Sequence, residues 1–418
     1  MKTVIMAGGK GTRISSVFSD IPKPMIKICG KPVLEHEIEN LKKQGFIDII
    51  ITVSHLGNII MDYFGDGSKF GVTIEYYFEK EPLGNAGALF KLKDKLSEDF
   101  LLLNADSIFD IDFTRFINYH KLKGGLATLF THPNSHPYDS GLIFVDDNKC
   151  VQKWLSKEDV RPEFYKNRVN AGLHVLSPKL LENEIKSQKI DLDRHILRPL
   201  AGTGKMFAYD SSEYVKDMGT PERFYTVVKD FETGKVKARN LSNKQRAIFL
   251  DRDGTINIKN GFIKSSRELN LSKTTAQAIK KINESGYLAI VITNQPVIAR
   301  GDCTLDDLTE IHNKIETYLG KEGAYLDGIY FCPHHPDKGF EGERTEYKII
   351  CNCRKPKPGL IFQAAKDFNI DISKSFMIGD SENDVLCGKN AGCKKSIKID
   401  DADQLIFAIE DLLKNNRL

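Results

Sequence analysis

The sequence predicts an α/β protein of two domains, each built on a largely parallel sheet with helices on its faces. Short apolar runs rich in β-formers recur at Thr3–Met6, Ile47–Val53, Val72–Tyr77 and Phe100–Leu103, then at Ala247–Leu250, Leu288–Ile292 and Ser375–Ile378. Each is followed by a helical pattern, and strands alternating with helices imply parallel pairing through helical crossovers. The chain also opens twice in the same manner, with a glycine loop after Thr3–Met6 and an acidic, glycine-bearing loop after Ala247–Leu250. Finally, 418 residues are too many for one ordinary core. The seam is expected at residues 233–245, a polar stretch containing Gly234 that reads as a surface linker between domains 1–232 and 246–418.

Composition narrows the function. The hydrophobic fraction of 41% and charged fraction of 28% are those of a globular chain. The formal net charge is +3 and the basic residues form no block, which argues against a nucleic-acid or membrane partner. No apolar run reaches the ~18 residues of a membrane helix. The start, Met1 to Gly9, reads as a strand entering a loop rather than a secretory signal. Eight cysteines in a chain of this size are not a disulfide framework, and a reducing cytoplasm suits them. The expected partners are small-molecule substrates; the sequence leaves a homo-oligomer open.

The first strand runs into Ala7-Gly8-Gly9-Lys10-Gly11-Thr12-Arg13. Glycines let the backbone approach a phosphate chain, and successive N–H groups can form an anion-binding concavity. Arg13 can chelate phosphate oxygens bidentately. In Pro22-Lys23-Pro24-Met25, two prolines stiffen the backbone that carries the Lys23 ammonium. A tight turn alone would explain the glycines; the loop together with the spaced lysine is the stronger sign of a triphosphate.

Further along come Glu81-Pro82-Leu83-Gly84-Asn85-Ala86-Gly87, Asn104-Ala105-Asp106, Asn170-Ala171-Gly172 and Asp217-Met218-Gly219-Thr220-Pro221. With these motifs in order, residues 1–230 resemble the nucleotidyltransferases that make nucleoside-diphosphate sugars. The resemblance implies a Rossmann-like, glycosyltransferase-A-like mixed sheet. It implies that Ala7, Gly8, Gly9, Gly11 and Thr12, with Arg13 and Lys23, hold a triphosphate, and that Glu81, Gly84 and Gly87 face base and ribose. Asn104, Asn170 and Gly172 would face substrate, and Asp106 and Asp217 would bind magnesium. Lys157 matches the family's sugar-phosphate lysine, although Ser156 replaces the usual glutamate, so a solvated surface lysine is the other reading. Asp191-Leu192-Asp193 departs from the usual Ser-x-Glu, and Asp106 could instead cap a helix. In such a reaction a sugar phosphate attacks the α-phosphorus and pyrophosphate leaves. Catalysis then consists of alignment and charge neutralisation.

In the second half, Ala247-Ile248-Phe249-Leu250-Asp251-Arg252-Asp253-Gly254-Thr255 delivers two carboxylates into a glycine turn. Asp251 and Asp253 alternate with Arg252, so both can face one side of the strand end. One aspartate can attack phosphorus while the other protonates the leaving alcohol, and the two together suit magnesium. Alone, the motif could be an Asx-type turn. Thr293-Asn294 adds a hydroxyl for the phosphoryl group, Lys355 a fixed cation, and Asp380 a third carboxylate. Cys332-Pro333-His334 and Cys351-Asn352-Cys353 supply Cys, His, Cys and Cys, a closed tetrahedral set for a structural zinc. His335 competes with its neighbour His334, while Cys29, Cys150, Cys303, Cys387 and Cys393 have no partner pattern.

This half resembles the haloacid-dehalogenase-like phosphatases. Its Cys-x-His and Cys-x-Cys-Arg-Lys-Pro are similar to the heptose-1,7-bisphosphate phosphatases, near relatives of histidinol-phosphate phosphatases. The resemblance implies a Rossmannoid domain with a zinc loop and magnesium at Asp251, Asp253 and Asp380. It places Thr293 and Lys355 in catalysis, zinc on Cys332, His334, Cys351 and Cys353, and Asn294, Gln295, Arg300 and Arg354 beside the substrate. Pro296-Val297 and Asp302 depart from the subgroup's commoner residues, and Arg300 or Arg354 could be surface arginines. Fused halves make sense in one pathway if the phosphatase produces the sugar 1-phosphate that the transferase activates. The expectation is therefore a bifunctional enzyme of nucleotide-heptose synthesis using GTP. A different base, another bisphosphate, histidinol phosphate, or one non-catalytic half are the alternatives.

Overall fold

The computed structural model describes residues 1–9, 21–182, 189–339 and 341–416, so Gly11, Thr12 and Arg13 lie outside the described residues. Contacts divide the chain into two compact units. The first comprises Met1–His132, Gly141–Ser156 and Val169–Asn240. Its strands are β1 (Thr3–Met6), β2 (Lys27–Ile28), β3 (Lys31–Pro32), β4 (Asp48–Val53), β5 (Thr73–Phe78), β6 (Phe100–Asn104) and β7 (Ser107–Asp110). They continue with β8 (Ala127–His132), β9 (Leu142–Val145), β10 (Val151–Leu155), β11 (Val169–Leu176), β12 (Met206–Asp210) and β13 (Tyr214–Asp217). The helices are α1 (Val33–Lys43), α2 (Gly57–Phe64), α3 (Gly87–Lys91), α4 (Phe113–Lys123), α5 (Pro221–Glu232) and α6 (Lys235–Ala238).

The main sheet runs β10-β9-β11-β6-β1-β4-β5, with β8 and β12 joined beside β11. β1, β4, β5 and β6 pair in parallel, whereas β11 pairs antiparallel with β6 and β8, so the sheet is mixed. Alternate residues of the parallel strands feed opposite cores. Ile5, Ile51 and Leu103 point into one and Val4, Ile50 and Leu102 into the other, which is why these strands read as unbroken apolar runs. The runs read from sequence become strands within a residue or two, and the parallel ones stop where the candidate residues begin.

The second unit comprises Pro133–Ser140, Lys157–Arg168 and Leu241–Leu418. Its strands are β14 (Ala247–Leu250), β15 (Leu288–Asn294), β16 (Gly328–Cys332), β17 (Phe376–Gly379) and β18 (Lys395–Lys398). They form an all-parallel sheet in the order β16-β15-β14-β17-β18. Its helices are α7 (Thr275–Glu284), α8 (Leu305–Lys321), α9 (Gly359–Asp367), α10 (Glu382–Ala391) and α11 (Leu405–Asn415). Ile248 and Leu250 face one core with Ile279 and Ile315, and Ala247 and Phe249 face another with Leu360 and Cys387.

Two expectations about the seam need correction. The stretch 233–245 is not all linker. α6 lies within it, Val236 is buried in a cluster with Ile26, Tyr214 and Phe224, and Asn240 donates to Asp110 at 2.6 Å. One valine in a polar run is a weak periodic signal. The boundary is also not a single cut, because Pro133–Ser140 and Lys157–Arg168 pack with the second unit. There Tyr165 N–H donates to Thr317 Oγ1 (2.8 Å), Asn167 N–H to Glu316 (2.7 Å), and Arg168 to the Asp327 carbonyl (3.1 Å). No helix among the described residues is long and apolar enough to cross a membrane.

Candidate active sites

In the first unit the candidate residues gather at the C-terminal ends of β1 and β6. Ala7 N–H donates to the Thr52 carbonyl (2.9 Å), and Ser54 Oγ donates to the Gly8 carbonyl (2.7 Å), which fixes the start of the glycine loop. Lys23 sits in a single 3-10 turn between its two prolines, and its Nζ lies 3.2 Å from Asp106 Oδ2. Asp106 and Asp217 are neighbours across the β7–β13 ladder. Asp217 stands opposite Ser107, and Met218 N–H donates to the Asp106 carbonyl (3.2 Å). Asp217 is held by Arg223, whose Nη1 is 3.0 Å from both carboxylate oxygens, and by Gly219 N–H (2.8 Å). Sequence reading missed Arg223. Its signal is its place in the first turn of α5, where the Thr220 side chain caps the helix through Arg223 N–H. Glu37 on α1 was missed too; burial, then the charge of Asp106, raises its pKa well above the carboxylate range.

The residues expected to face substrate sort differently. On β11 the pairing with β8 slips between Asn170 and His174, a bulge that leaves Ala171 and Gly172 out of that ladder, just after Asn170. Gly172 has φ +76°, and a Cβ there would sit 2.4 Å from Asn104 Nδ2, so Asn104 and Gly172 are adjacent. Asn170 Oδ1 accepts from Gly172 N–H (3.3 Å) and stands 3.1 Å from His174 Nε2. Burial pushes His174 down to about 3, so the ring is neutral and its Nε2 can donate. Gly84 and Gly87 have packing reasons of their own. A Cβ on Gly84 would strike the Ile190 carbonyl at 2.3 Å and one on Gly87 would strike Leu83 at 2.5 Å, while Glu81 is exposed. Asp193 is pushed up to about 6, first by burial and then by Asp191. Lys157 belongs to the second unit, where it is 61% exposed and lies 4.0 Å from Glu158.

In the second unit, the loops after β14 and β17 and the first turn of α10 bring together Asp251, Asp380 and Asp384, whose carboxylate oxygens lie within 4.8 Å of one another. Lys355 Nζ is 2.6 Å from Asp251 and 2.5 Å from Asp384, both largely buried pairs. Burial raises Asp251 to about 6, with Lys355 opposing; burial works against charge on Lys355, but the two carboxylates outweigh it and raise its pKa. Asn294 bridges the Lys355 backbone, donating to its carbonyl (3.1 Å) and accepting from its N–H (3.0 Å). Asp384 is the residue the sequence reading passed over. Its Oδ2 accepts from Ser381 N–H (3.0 Å) and Oγ (2.6 Å) in a capping box on α10, a Ser-x-x-Asp signal that was legible.

Asp253, expected beside them as a magnesium ligand, stands outside that carboxylate group, and its carboxylate accepts from Arg252 (2.9 Å) and Gln295 (2.9 Å). Thr293 is buried, accepting from Gln295 Nε2 (2.9 Å). The Arg300 guanidinium lies 4.4 Å from the Phe262 ring centroid, and Arg354 Nη1 donates to the His334 carbonyl (3.2 Å). Lys259 pairs with Asp380.

The cysteine cluster closes as the spacing implies. The three Sγ atoms of Cys332, Cys351 and Cys353 are 3.2–3.6 Å apart, and His334 Nδ1 lies 3.2 Å from Cys353 and 3.7 Å from Cys332. These are close to the edges of a tetrahedron with metal–sulfur bonds of about 2.3 Å, so the donor set fits one thiophilic ion. His335 stays out of it, accepting from Asp337 N–H (3.2 Å).

Residues 2–234 match the family described as Nucleotidyl transferase, and residues 352–397 match the HAD-hydrolase-like family. The chain is 41% identical over 155 residues to the D-glycero-beta-D-manno-heptose-1,7-bisphosphate 7-phosphatase of Pasteurella multocida, covering 37% of this chain and 82% of that protein. It is 32% identical over 231 residues to mannose-1-phosphate guanyltransferase beta-B of Xenopus laevis, covering 54% of this chain and 63% of that one. Against the UTP–glucose-1-phosphate uridylyltransferase of Synechocystis it is 34% identical over 221 residues, covering 50% and 57%. The chain therefore spans less than two thirds of these transferase relatives.

Proposed function

The chain belongs to the nucleotidyl transferase family and joins that domain to a haloacid-dehalogenase-like phosphatase, and on this premise we propose that it makes a nucleotide-activated heptose in two steps. The phosphatase removes the 7-phosphate of D-glycero-D-manno-heptose 1,7-bisphosphate. The transferase then joins the resulting heptose 1-phosphate to a nucleotide, GMP from GTP, releasing pyrophosphate. The observation that carries the reading is the Asp251–Lys355–Asp384 arrangement with Asp380 beside it, in a half 41% identical to a heptose-bisphosphate phosphatase.

Asp251 Oδ attacks the phosphorus, the P–O bond to the sugar breaks, and Asp253 protonates the departing oxygen. Water then opens the aspartyl-phosphate, returning a proton to Asp253. Lys355 holds Asp251 in place and offsets the phosphoryl charge. Asp251, Asp380 and Asp384 fit magnesium, which would supply further charge neutralisation when bound. The Cys332, His334, Cys351 and Cys353 cluster fits zinc as a structural pin. In the transferase, Lys23 beside Asp106 favours a triphosphate and magnesium at one place, and Asp217 completes the pair. The guanylyltransferase likeness supports GTP; the uridylyltransferase likeness is why every base must be tried.

The test is incubation of the full chain with magnesium, the heptose bisphosphate and each nucleoside triphosphate, following phosphate, pyrophosphate and nucleotide sugar together. Phosphate and pyrophosphate with GTP alone are expected. Asp251→Asn should yield nucleotide sugar only from supplied heptose 1-phosphate. Pyrophosphate with another triphosphate corrects the base, and release of neither product rejects the heptose.

A further inference from the structure

Among the described residues, Arg252 is the largest side chain with almost no solvent exposure, at 0%. A buried guanidinium is strongly unfavourable unless nearly all its donors are matched. Here the matching is aimed at one group. Nε and Nη2 both donate to Asp253 Oδ1 (3.1 and 3.0 Å), and Nη2 also reaches Asp253 Oδ2 (2.9 Å) and Gln295 Oε1 (2.9 Å). Nη1 stands 3.4 Å from His312 Nε2, where burial and then the Arg252 charge drive the imidazole pKa well below its ordinary value. The neutral ring offers Arg252 a lone pair.

Gln295, 2% exposed, closes the ring from the other side. Its Nε2 donates to Asp253 Oδ2 (2.9 Å) and to Thr293 Oγ1 (2.9 Å). Its amide is thus committed to Asp253, Thr293 and Arg252, which is a different task from the substrate contact the sequence suggested. The backbone holds the same geometry, since the Arg252 carbonyl accepts N–H bonds from Ile256 (2.9 Å) and Asn257 (3.1 Å). Asp253 itself keeps 24% of its side chain exposed, so a substrate can reach it.

We infer that Arg252 and Gln295 are positioning residues that hold the Asp253 carboxyl where it hands a proton to the departing alcohol. The inference rests on the phosphatase reading above and deepens it. In the first half-reaction the Asp251 oxygen–phosphorus bond forms and the phosphorus–alkoxide bond breaks. The bond's electron pair goes to the alkoxide oxygen, which takes the Asp253 proton. In the second half-reaction a water oxygen–phosphorus bond forms, the Asp251 bond breaks, and a water proton returns to Asp253. A proton donor acts only from within hydrogen-bond reach, so a carboxyl that turns away fails selectively on leaving groups that need the proton. A merely structural pair would depress every substrate alike.

The experiment uses the full chain with magnesium and two phosphate monoesters, the heptose bisphosphate and p-nitrophenyl phosphate, whose phenolate leaves without a proton. For Arg252→Met, kcat on the alkyl ester should fall about 100-fold with KM nearly unchanged, and on the aryl ester less than about threefold. Arg252→Lys, which keeps the charge but not the fork, should recover part of the alkyl rate. Gln295→Leu should show the same split on a smaller scale, and it carries the test if Arg252→Met does not fold. Equal losses on both esters in folded variants, or an unchanged alkyl rate, overturn the inference. If the unaltered protein hydrolyses neither ester, the phosphatase reading fails and the inference falls with it.

Discussion

Lys355 is ion-paired to two carboxylates at once, Asp251 and Asp384, and all three side chains are nearly sealed from water. Removing one partner of such a set leaves uncompensated buried charge, which costs about 3–5 kcal/mol. Lys355→Met should therefore lower the melting temperature of the second unit in metal-free buffer, and magnesium should recover part of the loss; an unchanged melt would mean that the carboxylates are solvated or protonated. A second residue-scale prediction concerns His174, whose pKa is depressed to about 3 against 6.5 in the open chain. A base with a depressed pKa contributes stability that is present above pH 6.5 and lost as pH falls towards 3. Each pH unit in that window costs about 1.4 kcal/mol for one proton taken up on unfolding. Urea midpoints of the first unit should fall from pH 6.5 to 4.5 in the parent and less steeply in His174→Gln; parallel slopes would place the titration elsewhere. Asp251, Lys355 and Asp380 were legible because apolar strands or prolines deliver them. Arg252 was not, since an arginine between two aspartates reads as solvated, and only the fold shows that it turns in to hold Asp253.

The elements that carry these residues were largely readable, because a parallel strand buried on both faces is an unbroken apolar run. β14 begins and ends where the run Ala247–Leu250 does. What lay beyond reach was pairing made at a distance. The β11 bulge depends on β8, and the β7–β13 ladder joins segments that alternate too weakly to announce themselves. The turn after β14 is where element geometry and chemistry meet. Gly254 has φ +84°, and a Cβ there would sit 2.5 Å from Asp380 Oδ2. Left-handed backbone at a residue with a side chain costs about 1–3 kcal/mol before any clash is counted. Gly254→Ala should thus displace Asp380, reduce phosphate release by at least about tenfold, and leave nucleotidyl transfer intact. Assaying both products of one preparation checks it, and full phosphate release would show that Asp380 has room to move.

At the scale of the whole molecule, the second unit is not a contiguous stretch of chain. Sequence order puts Pro133–Ser140 and Lys157–Arg168 among the strands of the first sheet, yet their contacts lie with α8 and its surroundings. No local pattern signals this, because the partners are some 150 residues away, as in Asn167 to Glu316. The Glu316 carboxylate is 5% exposed and accepts from Asn167 N–H (2.7 Å) and Arg168 Nη1 (3.3 Å), while Thr317 Oγ1 both accepts from Tyr165 N–H and donates to its carbonyl. A chain beginning at Leu241 keeps α8 but loses every one of these donors. Its Glu316 then loses the bonds from Asn167 and Arg168 and meets more water, which loosens α8. The fragment 241–418 should melt below the second-unit transition of the full chain. Glu316→Gln should narrow that gap by removing a charge that no longer faces Arg168, whereas in the full chain the same change should destabilise by breaking a formed pair. This reversal of sign is the discriminating result. If Glu316→Gln shifts both proteins in the same direction, the two inserted segments contribute packing alone and the buried carboxylate is not what ties them to α8.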